Sequence, residues 1–293
     1  MVSFGRIGLT FLGCTMLFAQ DGLRQQIAAI AAQAHGKVSV ACSLPGSGLN
    51  CDFNPSAHPP MQSVFKAPLA MTALHVVELG KLSLDQPIRF LPGDRILPSV
   101  YSPLQDQYPA ANVDVPLRRL LELAVSVSDN VAADIVLRAI GGAAVVERYV
   151  RECGIGGFQL RDNEAALHRD ETAQYRNWFA PAGAVQFLRL LSDHPPIGAG
   201  HAALLLRWMR DGTRGNERIR GRLPEGTAVM HKPGSSGIQG GFAPATNDIG
   251  LIVLPDGRRL AIAVFVTDST ADDAARDAVI ARIARAAYDA AVR

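Results

Sequence analysis

Apolar positions along this chain change period twice, and the changes mark out its organisation. Leu23–His35 repeats apolar residues at helical spacing and ends at Gly36. Lys37–Leu44 and Leu49–Asn54 then read as strands on either side of a Pro-Gly-Ser-Gly turn, followed by polar, proline-rich sequence to Pro60. From Met61 to about Arg210 the helical period dominates. Gln62–Leu82, Leu117–Val125, Asn130–Ala139, Ala143–Glu152 and Pro181–Leu191 are its clearest segments. Beyond Gly226 the strand pattern returns in Thr227–His231, Ile249–Leu254 and Leu260–Thr267, with Pro255-Asp256-Gly257-Arg258 as a hairpin turn. A last helix, Asp272–Val292, opens on acidic residues, which suit the positive end of the helix dipole.

This order predicts an α/β (α+β) fold: a five-stranded antiparallel sheet drawn from both ends of the chain and flanked by the terminal helices, with an all-helical lobe inserted in the middle. Residues 20–58 and 212–293 would make the first lobe and 59–211 the second. A cleft between lobes is the natural ligand site.

Composition narrows the class. With 293 residues, 48% hydrophobic and 19% charged, the chain can bury a large core. A formal net charge of +2 argues against nucleic acid or an acidic membrane as main partner. Six arginines between Arg207 and Arg222 are interrupted by Asp211, Glu217 and three glycines, and read mostly as solvated surface. Arg6 followed by the apolar run Ile7–Ala19 predicts a signal peptide over residues 1–19, too short to span a bilayer, and a periplasmic or secreted protein. A lipoprotein cut before Cys14 and a buried N-terminal helix are the alternatives. Export permits a disulfide between Cys42 and Cys51 across one hairpin, and two buried thiols satisfy the same spacing. Cys153 is left over and is expected simply to pack.

Four short stretches carry the chemistry. Ser63-Val64-Phe65-Lys66 opens a mostly apolar helix, so Lys66 lies one turn beyond Ser63, near enough to share a proton, and the Ser63 N–H can hold an oxyanion. A lone Ser-x-x-Lys is weak, but a surface pair fits the apolar run poorly. Pro68 predicts an irregular first turn. Ser128-Asp129-Asn130 stands at a break between helices. Capping explains it by itself; functionally, Ser128 can pass a proton to a leaving nitrogen while Asn130 binds an amide. Glu164 lies in Arg161–Gln174, read as a loop, where it is either solvated or a base for water, with His168 positioning that water or serving only as structure. Lys232-Pro233-Gly234 completes the set.

In this order the motifs resemble the Ser-x-x-Lys, Ser-Asp-Asn and Lys-Thr-Gly set of serine β-lactamases and penicillin-binding proteins, and the Glu-bearing loop resembles that of class A β-lactamases. The likeness covers nearly all of the mature chain. Tyr101-Ser102-Pro103 is similar to the family's aromatic gate. Glu164–His168 with Gln174-Tyr175-Arg176-Asn177-Trp178 resembles the Ω loop of a branch with His in that loop, and Arg218–Pro224 the approach to the last motif. The resemblance implies a β-lactamase/transpeptidase-like fold and hydrolysis of penicillins or cephalosporins through acyl-Ser63. Lys66 and Glu164 would handle protons, Ser128 would protonate the β-lactam nitrogen, and Lys232 would supply charge. Ser63 and Ser235 would hold the oxyanion, and Arg218 would bind the substrate carboxylate with help from Ser235 and Ser236. A monomer needing neither metal nor cofactor is implied. Two departures matter. Pro233 lacks the family's hydroxyl, and Asp162 stands where most members have the Arg of the loop's ionic clasp. The rival readings are a D,D-peptidase, which Glu164 argues against, and a sensor that acylates without turnover, which Pro233 favours.

Overall fold

The protein is described by a computed structural model over residues 22–293; the expected signal segment lies outside the described residues. Residues 22–31 form helix α1, which tightens at Ala32–Ala34 and stops at His35, whose φ of 47° is left-handed. Strand β1 (Lys37–Ser43) follows, then helix α2 (Lys66–Glu78), preceded by the 3₁₀ turn Gln62–Phe65. The middle of the chain holds β2 (Pro87–Phe90), α3 (Pro103–Gln107), β3 (Val113–Pro116), α4 (Leu117–Glu122) and a π-helical turn, Leu123–Val127. It continues with α5 (Asn130–Ile140), α6 (Ala143–Glu152), β4 (Phe158–Gln159), α7 (Glu164–Arg169), β5 (Trp178–Phe179), α8 (Pro181–Asp193) and α9 (Ala199–Arg210). The chain ends in β6 (Val229–Ser235), β7 (Ala243–Val253), β8 (Arg259–Ser269) and α10 (Asp273–Ala291), with Asp272 capping α10 through the Ala275 N–H.

The main sheet runs β1-β8-β7-β6, antiparallel throughout. Alternate side chains of β8 divide between two cores, as the strand period requires. Ile262, Val264 and Val266 pack with Ile27, Val279 and Ile283 of the terminal helices, while Ala263 and Phe265 join the large core built around α2. A sheet covered on both faces explains the unbroken apolar run of β8. Helix α2 is buried from Lys66 to Leu74, as an all-round apolar helix must be. Among the described residues, no helix is long and apolar enough to cross a membrane.

Four strands form this sheet, where five are expected. Leu49–Asn54 contributes only one bridge, in which Val40 and Phe53 exchange backbone hydrogen bonds of 2.7 and 3.0 Å. Local bonds divert the chain before it can pair further: Ser47 Oγ donates to Leu44 O, and Asn50 Oδ1 accepts from Asp52 N. Cys42 and Cys51 are disulfide-bonded across this crossing, with Cα atoms 5.4 Å apart. The middle of the chain is not all helical either, because β2–β3 and β4–β5 make two small sheets. The expected helix to Leu82 ends at Glu78, where Gly80 (φ 71°) closes a Schellman-type turn through Lys81 N→Val76 O and Gly80 N→Val77 O.

Candidate active site

The reactive centre begins with a tight turn. Gln62 holds a left-handed φ of 48°, and the 3₁₀ turn that follows, with three residues per turn, sets Ser63 and Lys66 on one side. The turn converts to α-helix at Lys66, so Pro68 falls in the first turn of α2, where a helix has no use for its N–H. Gly234 of β6 passes directly beside this turn. A Cβ there would stand 2.6 Å from Met61 O and 3.0 Å from Ser63 N, so only glycine lets β6 run this close to the Ser63 amide.

Lys66 is fully buried, and its partners define the site. Its Nζ lies 2.8 Å from Glu164 Oε1 and donates to Ser128 O at 2.9 Å and to Asn130 Oδ1. Ser63 Oγ donates to the same Glu164 oxygen at 3.5 Å. The Ser128 backbone is left-handed, φ 64°, and its Oγ accepts from Lys232 Nζ at 2.9 Å. Asp129, wholly buried, fixes this turn: it accepts from Ser102 Oγ, Leu104 N and Ala132 N at 2.7–2.8 Å, capping α5 and tying it to the segment that carries Tyr101. Lys232 is buried completely, and that burial, followed by the charge of Lys66, pulls its pKa well below the ordinary lysine value.

Glu164 is not in a loop. It opens α7, a helix capped by Asn163, whose Oδ1 accepts from Ala166 N. A second anchor of this helix is Asp134, one turn beyond Asn130 on α5 and absent from the sequence-based site. Its carboxylate accepts from Glu164 N at 2.8 Å and from Ala165 N at 2.9 Å. A lone acidic residue within the apolar stretch Val131–Leu137 is the signal that could have found it. Burial, then the negative charge of Glu164, raises the Asp134 pKa to about 7. A carboxyl raised in the folded state stabilises fully below its unfolded pKa near 4 and loses that contribution as pH rises through about 7. Asn at this position cannot titrate and loses one acceptor. The stability advantage of wild type over Asp134→Asn should therefore shrink steadily from pH 5 to pH 8 in urea unfolding; parallel curves would exclude the raised pKa.

The neck of the 160–177 segment carries an ionic clasp of inverted sense. Asp162 supplies the acid and Arg176 the base, at 2.8 and 3.0 Å, and the Asn177 side chain holds Arg161 N, Asp162 N and Asp162 O. His168 sits beside Glu164, Nε2 3.9 Å from Oε2, and burial keeps its pKa below the usual histidine value.

A cleft of about 370 Å³ opens over these groups, lined by Ser63, Tyr101, Ser128, Asn130, Pro233 and Ser235 together with residues of the 213–218 segment. Arg218 lines it too, but its guanidinium is engaged by Asp277, Gly234 O, Asn247 O and Ser235 Oγ, so it orients Ser235. It and Arg220, which reaches Val229 O, correct the solvated reading of the basic segment. Ser236 is not brought into the cleft. Its hydroxyl is spent on the Ala245 backbone, accepting from N at 2.9 Å.

Comparison with known proteins decides the family. The model of the "Beta-lactamase enzyme family" matches residues 22–291. The extended-spectrum β-lactamase PER-1 of Pseudomonas aeruginosa is 40% identical over 266 residues, covering 91% of this chain and 86% of that protein. The chain belongs to the class A serine β-lactamases. VEB-1, a β-lactamase of Pseudomonas aeruginosa, is 32% identical over 92% of this enzyme and 90% of its own length. The crystal structure of TLA-1, an extended-spectrum β-lactamase, matches with TM-score 0.90 at 34% identity, covering 94% of this β-lactamase and 100% of that chain. A β-lactamase from Chitinophaga pinensis matches with TM-score 0.88 at 41% identity, over 92% of this chain and 99% of that one. This enzyme hydrolyses β-lactams.

Proposed function

We propose that hydrolysis runs through an acyl-Ser63 intermediate released by Glu164-activated water. One observation carries the reading: Glu164 Oε1 is 2.8 Å from Lys66 Nζ and 3.5 Å from Ser63 Oγ, so one carboxylate reaches both nucleophile and relay. Ser63 Oγ attacks the ring carbonyl as its proton passes to Glu164, directly or through Lys66. The carbonyl oxygen takes the negative charge, between the N–H groups of Ser63 and Ser235. As the C–N bond breaks, Ser128 gives its proton to the nitrogen and draws one from Lys232, whose lowered pKa favours the transfer. The proton that Glu164 took in acylation then passes on through Lys66 to replace the one Lys232 gave up, which leaves Glu164 ionised. Water loses a proton to Glu164 and attacks the ester, and that proton goes to Ser63 as the ester bond breaks. His168 borders the water's position, and Asn130 and Tyr101 hold the substrate's side chain and ring.

Two further readings go with this one. The division into lobes 20–58 with 212–293 and 59–211 is supported by the site, which takes Ser63, Lys66, Ser128 and Glu164 from one part and Lys232 and Ser235 from the other. Export is supported by the Arg6–Ala19 segment and by the Cys42–Cys51 disulfide, a bond of oxidising compartments. The cleft is complete within one chain, which suits a monomer.

The test is intact mass over time after adding a cephalosporin, with the β-lactam absorbance followed in parallel. A transient adduct on Ser63 with continued ring opening is expected; a lasting adduct without turnover would favour the sensor alternative. Pro233→Thr restores a hydroxyl able to make one charge-assisted hydrogen bond, and turnover about tenfold to a hundredfold faster is expected. Unchanged or slower turnover would mean that the site has re-optimised around proline.

A further inference from the structure

The cleft has to recognise an anion. Penicillins and cephalosporins carry a carboxylate on the ring fused to the β-lactam, and the wall facing it here is built from β6 and the 213–218 segment. Pro233 offers this wall no donor, and its ring fills the space that Gly215 leaves: a Cβ on Gly215 would stand 2.8 Å from Pro233 Cβ. Lys232 is buried and already bonded to Ser128 Oγ and Pro233 O. Arg218 is committed to four partners. The remaining cation among the cleft-lining residues is Arg214. It is exposed, and among the described residues no hydrogen bond or ion pair engages its guanidinium, which rests on the face of Tyr101 with Cζ 4.6 Å from the ring centroid.

We propose that Arg214 is a specificity-determining clamp for the substrate's ring carboxylate, held across the mouth of the cleft on Tyr101 until substrate enters. The backbone beneath it is pinned, by Thr213 N→Ser126 O at 3.0 Å and Arg218 N→Gly215 O at 3.1 Å, so only the side chain needs to move. A cation–π contact at an exposed site is weak and gives way at little cost. A guanidinium binds a carboxylate through two parallel N–H donors, which lysine cannot match. Two acids share the wall. Asp277 is paired with Arg218 at 2.7 Å, and Glu217 is exposed, so the clamp works against one solvated carboxylate. Arg214 thus takes over recognition that the missing hydroxyl at position 233 cannot supply.

This inference rests on the acyl-Ser63 reading, and its test keeps the two separable. The kinetics of wild type, Arg214→Gln and Arg214→Lys are measured on one cephalosporin as free acid and as the methyl ester of its ring carboxylate. On the acid, Arg214→Gln is expected to lower kcat/KM about tenfold to a hundredfold, chiefly through KM, with Arg214→Lys recovering part of the loss. On the ester, wild type and Arg214→Gln should agree within about twofold, because no anion is left to bind. Equal losses on acid and ester would make Arg214 a steric element of the wall and overturn the clamp, as would no loss on the acid. Absence of any Ser63 adduct in wild type with the acid would instead remove the mechanism on which the clamp depends.

Discussion

Replacing Glu164 by Gln is expected to leave Ser63 able to open a cephalosporin ring and unable to let the product go. Gln keeps the shape of the side chain, and the bonds from residues 164 and 165 to Asp134 are made by the backbone, so α7 stays capped. The amide oxygen can still accept from Lys66 Nζ, but it cannot take a proton from water. A positioned general base contributes about 10² to 10⁴ in rate. Acylation retains a second group, since Lys66 lies one turn from Ser63. In the proposed mechanism deacylation has only Glu164, whose loss should therefore fall on that step. Intact mass should show the acyl group on Ser63 persisting for at least a hundredfold longer than in wild type. Release at the parental rate would show that water is activated elsewhere. A second consequence is electrostatic. Removing the Glu164 charge takes away one of the causes that raise Asp134, and the Asp134-dependent loss of stability should move toward lower pH.

The motifs were legible because each keeps its chemistry within a few neighbouring residues. Ser63 and Lys66 need one turn, Ser128 to Asn130 need one break between helices, and β8 shows itself as a continuous apolar run. Elements stabilised from a distance were hidden. Strand β7 extends back to Ala243, well before the apolar stretch at Ile249, because its polar residues are buried with partners from elsewhere. Thr246 Oγ1 accepts from Arg276, Asn247 Nδ2 donates to Pro60 O, and Asp248 holds His231 and Ile219 N. Helix α7 reads as a loop because it is short and its second anchor, Asp134, which accepts from the Glu164 and Ala165 N–H groups beside the Asn163 cap, is 30 residues upstream. Arg220 reads as solvated because its backbone acceptors, Val229 O on β6 and Arg210 O on α9, belong to other elements, and the structural partners of Arg218 on β6, β7 and α10 are likewise remote in sequence. The left-handed turn at Gln62 gave no sign, since glutamine is not a residue that advertises positive φ.

Lys66→Met separates what the buried lysine does for stability from what it does for chemistry. Lys66 and Glu164 form an ion pair whose side chains are 0% and 4% exposed. Removing one partner of a buried pair costs about 3–5 kcal/mol, because the other charge is left without compensation. Lys66 is also the donor that Ser128 O and Asn130 Oδ1 share, so its loss frees the Ser128 turn from α2. The single variant should unfold at markedly lower urea concentration and acylate Ser63 at least a hundredfold more slowly. Adding Glu164→Gln removes the stranded charge. Replacing a buried pair by neutral groups of similar volume is often close to neutral for stability, so the double variant should recover most of the lost stability. It should recover none of the activity, since both groups proposed to handle protons are gone. Stability and activity returning together would show that Lys66 serves chiefly to hold the site's shape. Stability returning without activity would place the proton transfer on this pair.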